Sequence, residues 1–318
     1  MSMAVPARER LDELRRAPLR VVATCEVAPL GPLYDARHLR RFPVRALRGG
    51  ACGLVAAFAV RDGKVIIRVL ARGDCSDEDI AWALSAARGI AALDDDPTEF
   101  FAMARRHPVL APLLRRYDCR VPRRVTVFES FARAVIEQLV TTYEARASIR
   151  RLFGHAGALV ADTRFRAPPT ADEVLGVAPW KLRAFGIGVR RVRTLRAGAR
   201  RGAALERLRL VDPAVAVERI QSLPGVGPWT ANHVARAGLG WADAVPVGDL
   251  HAHYVVTEAL TGEQGDDARM LEVLEPFRPH RARVCALVSD AHFVNALRGV
   301  RPRPLPRIDA HRREPWKY

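Results

Sequence analysis

The stretch that most constrains this chain is Leu223-Pro224-Gly225-Val226-Gly227-Pro228-Trp229-Thr230-Ala231. A helical pattern over Pro213–Ser222 leads into it, and another leads out from Pro228. Two glycines separated by one apolar residue let the backbone reverse sharply, and positive φ is expected at both. Pro228 suits the first turn of the outgoing helix, where its missing N–H is harmless. Leu223 and Val226 are expected to plug the turn into a core. A turn of this kind requires helices packed on both sides of it.

The rest of the C-terminal two-thirds agrees. Helical segments recur over Val127–Phe153, Ala171–Leu175, Pro179–Ala184, Arg190–Ala204, Pro213–Ser222, Pro228–Ala237, Leu250–Leu260, Ala268–Leu274 and Arg281–Leu297, punctuated by Pro and Gly. The N-terminal part reads differently. Val21–Val27 has strand character, and Leu54–Val60 and Lys64–Leu70 flank Asp62-Gly63, a hairpin turn signal. Ser76 and Asp77 offer an N-cap for a helix over Ile80–Leu93, Asp94-Asp95-Asp96-Pro97 breaks it, and Thr98–Arg106 restarts one. The expected fold is mainly α: an N-terminal α/β domain with a small antiparallel sheet, then an all-α core. The expected divisions are 1–95, 96–229 ending in the glycine turn, 230–297, and an Arg/Pro-rich tail at 298–318. Residues 96–120 are able to pack with the third unit.

The glycine turn also carries chemistry. Bare glycines leave the amides open, and the next helix begins there with its unpaired N–H groups and positive dipole end facing the same way. This is a helix-hairpin-helix, a sequence-independent grip on a DNA phosphate, with Gly225, Val226, Gly227 and Thr230 as the contacting residues. Net charge fits: 51 Lys and Arg against 35 Asp and Glu leave +16, of which +11 falls after residue 120. Phe185-Gly186-Ile187-Gly188, followed by Arg190, Arg191, Arg193 and Arg196, has similar glycine spacing. No carboxylate follows at a useful distance, so it reads as a tight interhelical turn with a solvated basic face.

The hairpin at 225–227 does have a carboxylate. Asp249 follows Gly227 by 22 residues, after a helix and a loop, and directly precedes the segment starting at Leu250. Such an Asp is an ordinary N-cap. The same placement keeps it ionised, and an anion there can stabilise the cation that develops on a deoxyribose as a base departs, or orient the attacking water.

In these features the chain resembles the helix-hairpin-helix-GPD DNA glycosylases, with Val245-Pro246-Val247-Gly248-Asp249 matching their loop signature. It most resembles the bacterial 3-methyladenine DNA glycosylase II, or AlkA, type. Phe131-Ala132-Arg133-Ala134-Val135-Ile136-Glu137-Gln138-Leu139-Val140 resembles that family's early helix ending in a Gln-Leu-Val turn, and Pro276-Phe277-Arg278-Pro279-His280-Arg281 its late Pro-Trp-Arg segment. The resemblance covers roughly residues 53–290. It implies a monofunctional enzyme of base excision repair that flips a damaged, alkylated base out of duplex DNA and hydrolyses its N-glycosidic bond. It implies Asp249 as the catalytic residue. Leu139 with Gln138 would wedge into the duplex. Trp229, His233, Leu250 and Ser289 would line the base pocket, and the carbonyls of Gln221, Leu223 and Val226 would hold Na+ or K+. Strand-cleaving relatives carry a Schiff-base lysine where this chain has Trp229, and its lysines, Lys64, Lys181 and Lys317, lie elsewhere. Leu250, His233, Ser289 and Asp290 depart from the aromatic pattern of the family's pocket, which opens the substrate to an oxidised or deaminated base.

Rival chemistries fare worse. His251 and His253 lie two residues apart and share no helix face, which argues against a metal hydrolase. No closely spaced cysteines exist to hold an iron–sulfur cluster or a zinc ribbon. A non-catalytic DNA-binding protein fits the charge and the hairpin, but has no need of Asp249 beside phosphates. The five scattered cysteines and the absence of an apolar leader read as free thiols in a cytoplasmic, nucleoid-associated monomer without membrane contact.

Overall fold

The computed structural model describes Asp12 and residues 19–293, except positions 33, 35, 37, 38, 41, 42, 50, 51, 161, 162 and 164. The tail expected at 298–318 lies outside the described residues.

Four antiparallel strands, β1 (Arg20–Val27), β2 (Val44–Gly49), β3 (Cys52–Arg61) and β4 (Lys64–Ala71), form a sheet in the order β1-β4-β3-β2. The β3–β4 turn has positive φ at both Asp62 and Gly63, as the Asp-Gly pair predicts. Strand β2 carries no strand signal in the sequence. Its Val44-Arg45-Ala46-Leu47-Arg48-Gly49 is poor in β-branched residues, and pairing with β3 imposes its conformation. Helix α1 (Asp77–Ile90) is capped by Ser76, whose hydroxyl accepts from the Asp79 N–H, and packs on the sheet through Ala83, Ala87 and Ile90.

Strand pairing overturns one expectation. Cys52 opens β3 and Cys75 follows β4, so the register brings their Cα atoms to 5.9 Å and they form a disulfide. The five scattered cysteines and the lack of an apolar leader predict free thiols for both. Cys25, Cys119 and Cys285 are free.

Helices α2 (Thr98–Ala104) and α3 (Leu110–Leu114) follow, then α4 (Val127–Glu137), α5 (Thr142–Ala156), α6 (Ala171–Gly176), α7 (Pro179–Ala184), α8 (Val189–Ala199), α9 (Gly202–Glu206), α10 (Pro213–Gln221), α11 (Pro228–Val234), α12 (Ala252–Thr261), α13 (Asp267–Leu274) and α14 (Arg281–Phe293). Helices α4 to α11 enclose one core around Phe131, Leu152, Leu182, Leu195 and Ile220. Phe100, Phe101, Leu110 and Leu113 share another with Tyr254, Val255, Leu274 and Leu287 from the C-terminal helices. No helix among the described residues is long and apolar enough to cross a membrane.

The periodicity over Val127–Phe153 suggested one continuous helix. The structure instead breaks at Gln138–Thr141, where the family resemblance places a turn. The physical cause is a capping box: the Thr141 hydroxyl accepts from the Glu144 N–H, and the Glu144 carboxylate accepts from the Thr141 N–H, starting a new helix. Helix α4 is itself fixed at its start by Glu206, whose two oxygens accept from the Val127 and Phe128 N–H groups at 3.0 and 2.8 Å.

Candidate active site

The hairpin joins α10 to α11. Gly225 has φ +80°, and a Cβ there would lie 2.1 Å from the Thr194 hydroxyl on α8, so both backbone and packing demand glycine. Gly227 differs from expectation. Its φ is −101°, and a Cβ would meet nothing within 4 Å. Its bareness serves open space rather than the turn, because one left-handed residue already reverses the chain. Leu223 is buried and Val226 packs beside it on the core, as expected. The similar turn at 185–188 has positive φ at Gly186. Arg191 and Arg196, beyond it, reach the carbonyls of Ile136, Leu175 and Val177, so part of its basic face holds the fold rather than facing solvent.

Two residues expected to touch DNA are occupied differently. The Gln138 side-chain amide donates to the Gly225 carbonyl at 3.0 Å and to the Thr230 hydroxyl at 2.8 Å. Gln138 therefore braces the turn against the hairpin. The Thr230 side chain is buried and engaged, which leaves only its backbone N–H, in the first turn of α11, for the expected phosphate contact. Leu139, by contrast, has φ +51° and is 87% exposed, an unusual position for a large apolar residue. It projects from the brace beside the hairpin.

Asp249 sits on the turn that leads into α12, which starts at Ala252 rather than Leu250. One carboxylate oxygen accepts from the His251 and Ala252 N–H groups at 2.8 and 3.0 Å, the role of an N-cap. The other accepts from the Trp229 indole N–H at 2.7 Å. Burial alone raises the Asp249 pKa, but the donors from His251, Trp229 and Ala252, with His233 nearby, outweigh it and hold the carboxyl below the ordinary range. The group is thus a half-buried carboxylate kept ionised.

The approach to Asp249 is anchored from three sides. The Asp267 carboxylate accepts from the Gly248 N–H at 3.0 Å. Arg281 clasps Asp243 with two bonds of 2.8 and 2.6 Å, and its neighbour Ala282 donates to the Ala242 carbonyl. The His253 ring donates to the Asp249 carbonyl at 3.0 Å. These braces escaped sequence reasoning, since Asp243 and Asp267 look like ordinary surface acids. Nothing in the primary structure marks which loop they hold.

The His233 ring packs against Trp229 at a tilt of 38°, with centroids 4.2 Å apart. Burial, with Arg236 and Arg124 adding to it, pushes its pKa down to about 4, against the opposing pull of Asp249. The ring is neutral at physiological pH. The structure thus brings together Trp229, His233 and Asp249 of the expected pocket. Leu250 is exposed on the turn beside Asp249, and Ser289 is half-buried on α14. Among the described residues no three His, Cys, Asp or Glu side chains cluster as a metal site.

Trp229→Phe isolates the indole donor while keeping a ring against His233. Loss of one charge-assisted hydrogen bond is expected to slow catalysis about 10-fold at neutral pH. Because the donor lowers the Asp249 pKa, its loss moves the acid limb of the pH–rate profile to higher pH; an unmoved limb would show that the indole does not tune the carboxylate.

No protein-family profile matches the chain. It is 29% identical over 180 residues to the probable bifunctional transcriptional activator/DNA repair enzyme AlkA of Mycobacterium tuberculosis, which covers 54% of this chain and 35% of that protein. It is 30% identical over 170 residues to the DNA-3-methyladenine glycosylase 2 of Escherichia coli, covering 52% and 58%. The chain thus matches about a third of the first relative and rather more than half of the second. In fold it is similar to the 3-methyladenine DNA-glycosylase from Archaeoglobus fulgidus, at TM-score 0.71 and 21% identity, over 86% of this chain and 99% of the other. It is also similar to the Clostridium acetobutylicum 8-oxoguanine glycosylase/lyase in complex with double-stranded DNA, at TM-score 0.60 and 18% identity, over 79% and 88%. With its sheet-plus-helices architecture and its Gly-Val-Gly hairpin, the chain is similar in sequence to AlkA-type DNA glycosylases and shares the fold of the helix-hairpin-helix DNA glycosylases.

Proposed function

We propose that this chain is a monofunctional DNA glycosylase that extrudes a damaged base from duplex DNA and hydrolyses its N-glycosidic bond. The observation that carries the reading is Asp249, an anion held by three donors one helix away from the phosphate-gripping turn. The first-turn amides beyond Gly227 would take a backbone phosphate, and Leu139 would fill the gap left by the extruded nucleotide. The carbonyls of Gln221, Leu223 and Val226 offer neutral oxygen donors, a set suited to a monovalent cation that bridges hairpin and phosphate. As the glycosidic bond breaks, Asp249 would stabilise the positive sugar and orient water onto it.

Hydrolysis without strand cleavage is the finer part of the reading. Lys64 starts β4 and Lys181 lies on α7, so no lysine of the described residues stands at the carboxylate, where Trp229 is found. An alkylated substrate is what the names of the relatives suggest. An oxidised or deaminated base is the alternative, because His233, Leu250 and Ser289 depart from the aromatic pattern of the pocket in the family this chain resembles.

The test is base release from lesion-bearing duplexes, with the strand examined before and after alkali. A free base with an intact abasic strand is expected. Nicking without alkali would overturn the monofunctional reading, and DNA binding without release would favour a non-catalytic binder.

A further inference from the structure

The Asp249 N–H donates to the Pro246 carbonyl at 3.1 Å, which closes a four-residue turn over 246–249. Its third residue, Gly248, has φ +84°, and its second, Val247, does not have positive φ. A hydrogen-bonded turn with positive φ at the third position alone is type II. Its central peptide is flipped relative to that of the commoner type I. The Gly248 N–H therefore points out of the turn, where it needs an acceptor from another part of the chain.

Asp267 supplies that acceptor, taking the Gly248 N–H at 3.0 Å from 19 residues further along. The element that presents it is rigid. Asp267 opens α13, whose N-cap Asp266 accepts from the Arg269 N–H at 2.9 Å. Just before it, the Gly265 N–H donates to the buried Thr257 hydroxyl of α12 at 2.7 Å. Met270 and Leu274 of α13 share a core with Val255 and Val256 of α12. The chain thus leaves Asp249, runs through α12, reverses, and returns to hold the residue that precedes Asp249. Gly248 also lies against the pocket: a Cβ there would stand 3.9 Å from the Trp229 Cβ. The second Asp267 oxygen, Oδ1, is sealed from water with no hydrogen-bond partner among the described residues. Such an atom costs about 1–3 kcal/mol, so packing alone does not account for an aspartate here. The bond to Gly248 is what the aspartate adds.

We propose that Asp267 is a positioning residue for base release, a latch that holds the Gly248 peptide in its flipped orientation and so aims Asp249 at the sugar. The inference rests on the glycosylase reading above and adds to it the residue that sets the stance of its carboxylate. Asp267 acts through the backbone. The turn places the Asp249 main chain, and from there the side chain meets the Trp229 indole at 2.7 Å. Without the acceptor the Gly248 N–H is unpaired, its peptide is free to rotate, and the carboxylate departs from the indole and from the sugar. A catalytic group misplaced by about 1 Å loses about 100-fold in rate. What the latch requires is an acceptor rather than a charge, so an asparagine whose amide oxygen takes the same N–H is a sufficient substitute.

The native chain is compared with Asp267→Ala, Asp267→Ser and Asp267→Asn, with a melting curve for each. Single-turnover release and duplex affinity are measured on DNA methylated with dimethyl sulfate and on DNA carrying hypoxanthine. The Trp229 indole N–H resonance, assigned through Trp229→Phe, is followed by NMR. Asp267→Ala and Asp267→Ser should slow release about 10- to 100-fold and leave affinity within about 2-fold of native. Both should move the indole resonance toward that of an unbonded indole. Asp267→Asn should stay within about 3-fold of the native rate and keep the native resonance. Native release, or a native indole resonance, in a folded Asp267→Ala or Asp267→Ser overturns the inference. So does an Asp267→Asn as slow as Asp267→Ala, because charge would then be the essential feature. Unprotected exchange of the Gly248 amide in the native chain overturns it without any variant. Release of no base from either duplex by the native chain removes the glycosylase reading, and the indole resonance then decides whether Asp267 positions Asp249.

Discussion

Asp249→Asn is expected to lower base release by about 10^3-fold or more, roughly 4 kcal/mol of transition-state stabilisation, while affinity for duplex DNA stays close to native. The geometry explains both halves. An asparagine can keep an oxygen toward the His251 and Ala252 N–H groups, so α12 remains capped. Its amide nitrogen then faces the Trp229 indole N–H, donor against donor, where the carboxylate oxygen accepted at 2.7 Å. Two effects are thus superimposed: a lost charge and a local conflict. The double variant Asp249→Asn with Trp229→Phe separates them, because it removes the conflict without restoring the anion. It is expected to remain as inactive as the single variant. Recovery of release would show that placement, rather than charge, was what the asparagine had damaged. Full activity in Asp249→Asn itself would remove the carboxylate from the mechanism. Binding is checked by fluorescence anisotropy, since the proposed phosphate contacts of the hairpin do not involve this side chain.

The two hairpin glycines are expected to fail in opposite ways. Gly225→Ala places a side chain at φ +80°, which costs about 1–2 kcal/mol, and drives its Cβ to 2.1 Å from the Thr194 hydroxyl. Thr194 is buried on α8 and has little room to yield, so overpacking adds about 1–3 kcal/mol. The hairpin must lift from α8, and the Gln138 contact with the Gly225 carbonyl goes with it. A markedly lower melting temperature and weak DNA binding should result. Gly227→Ala meets nothing within 4 Å at an ordinary φ, so stability should change by less than about 1 kcal/mol. Its Cβ enters the open space that a phosphate would use, and DNA affinity should fall about 10-fold with a shallower salt dependence. Native affinity in a well-folded Gly227→Ala would show that phosphate does not approach there.

How much was legible beforehand depends on the range of the interaction involved. The Asp62-Gly63 turn, the Ser76 cap and the Gly-Val-Gly hairpin are local, encoded within a few residues, and the structure has each of them. The Thr141–Glu144 capping box was equally local but was masked by a continuous apolar rhythm across it. Strand β2 and the Cys52–Cys75 bond depend on register between strands and left no signal along the chain.

The same division runs through the candidate site. From its sequence alone this chain determines that helices flank a bare-amide turn and that a carboxylate follows at a fixed interval. Those are statements about residue type and spacing, which backbone preferences and side-chain chemistry dictate directly. Only the tertiary structure decides that Gln138 braces the hairpin, that Asp243 and Asp267 steady the loop before Asp249, and that the Trp229 indole meets the carboxylate. It alone reveals that the Nε–H of Arg236 is shut away from water without an acceptor. The reason is that a side chain's partners are set by what folding brings beside it from distant positions, and burial turns those meetings into charge state, rigidity and selectivity.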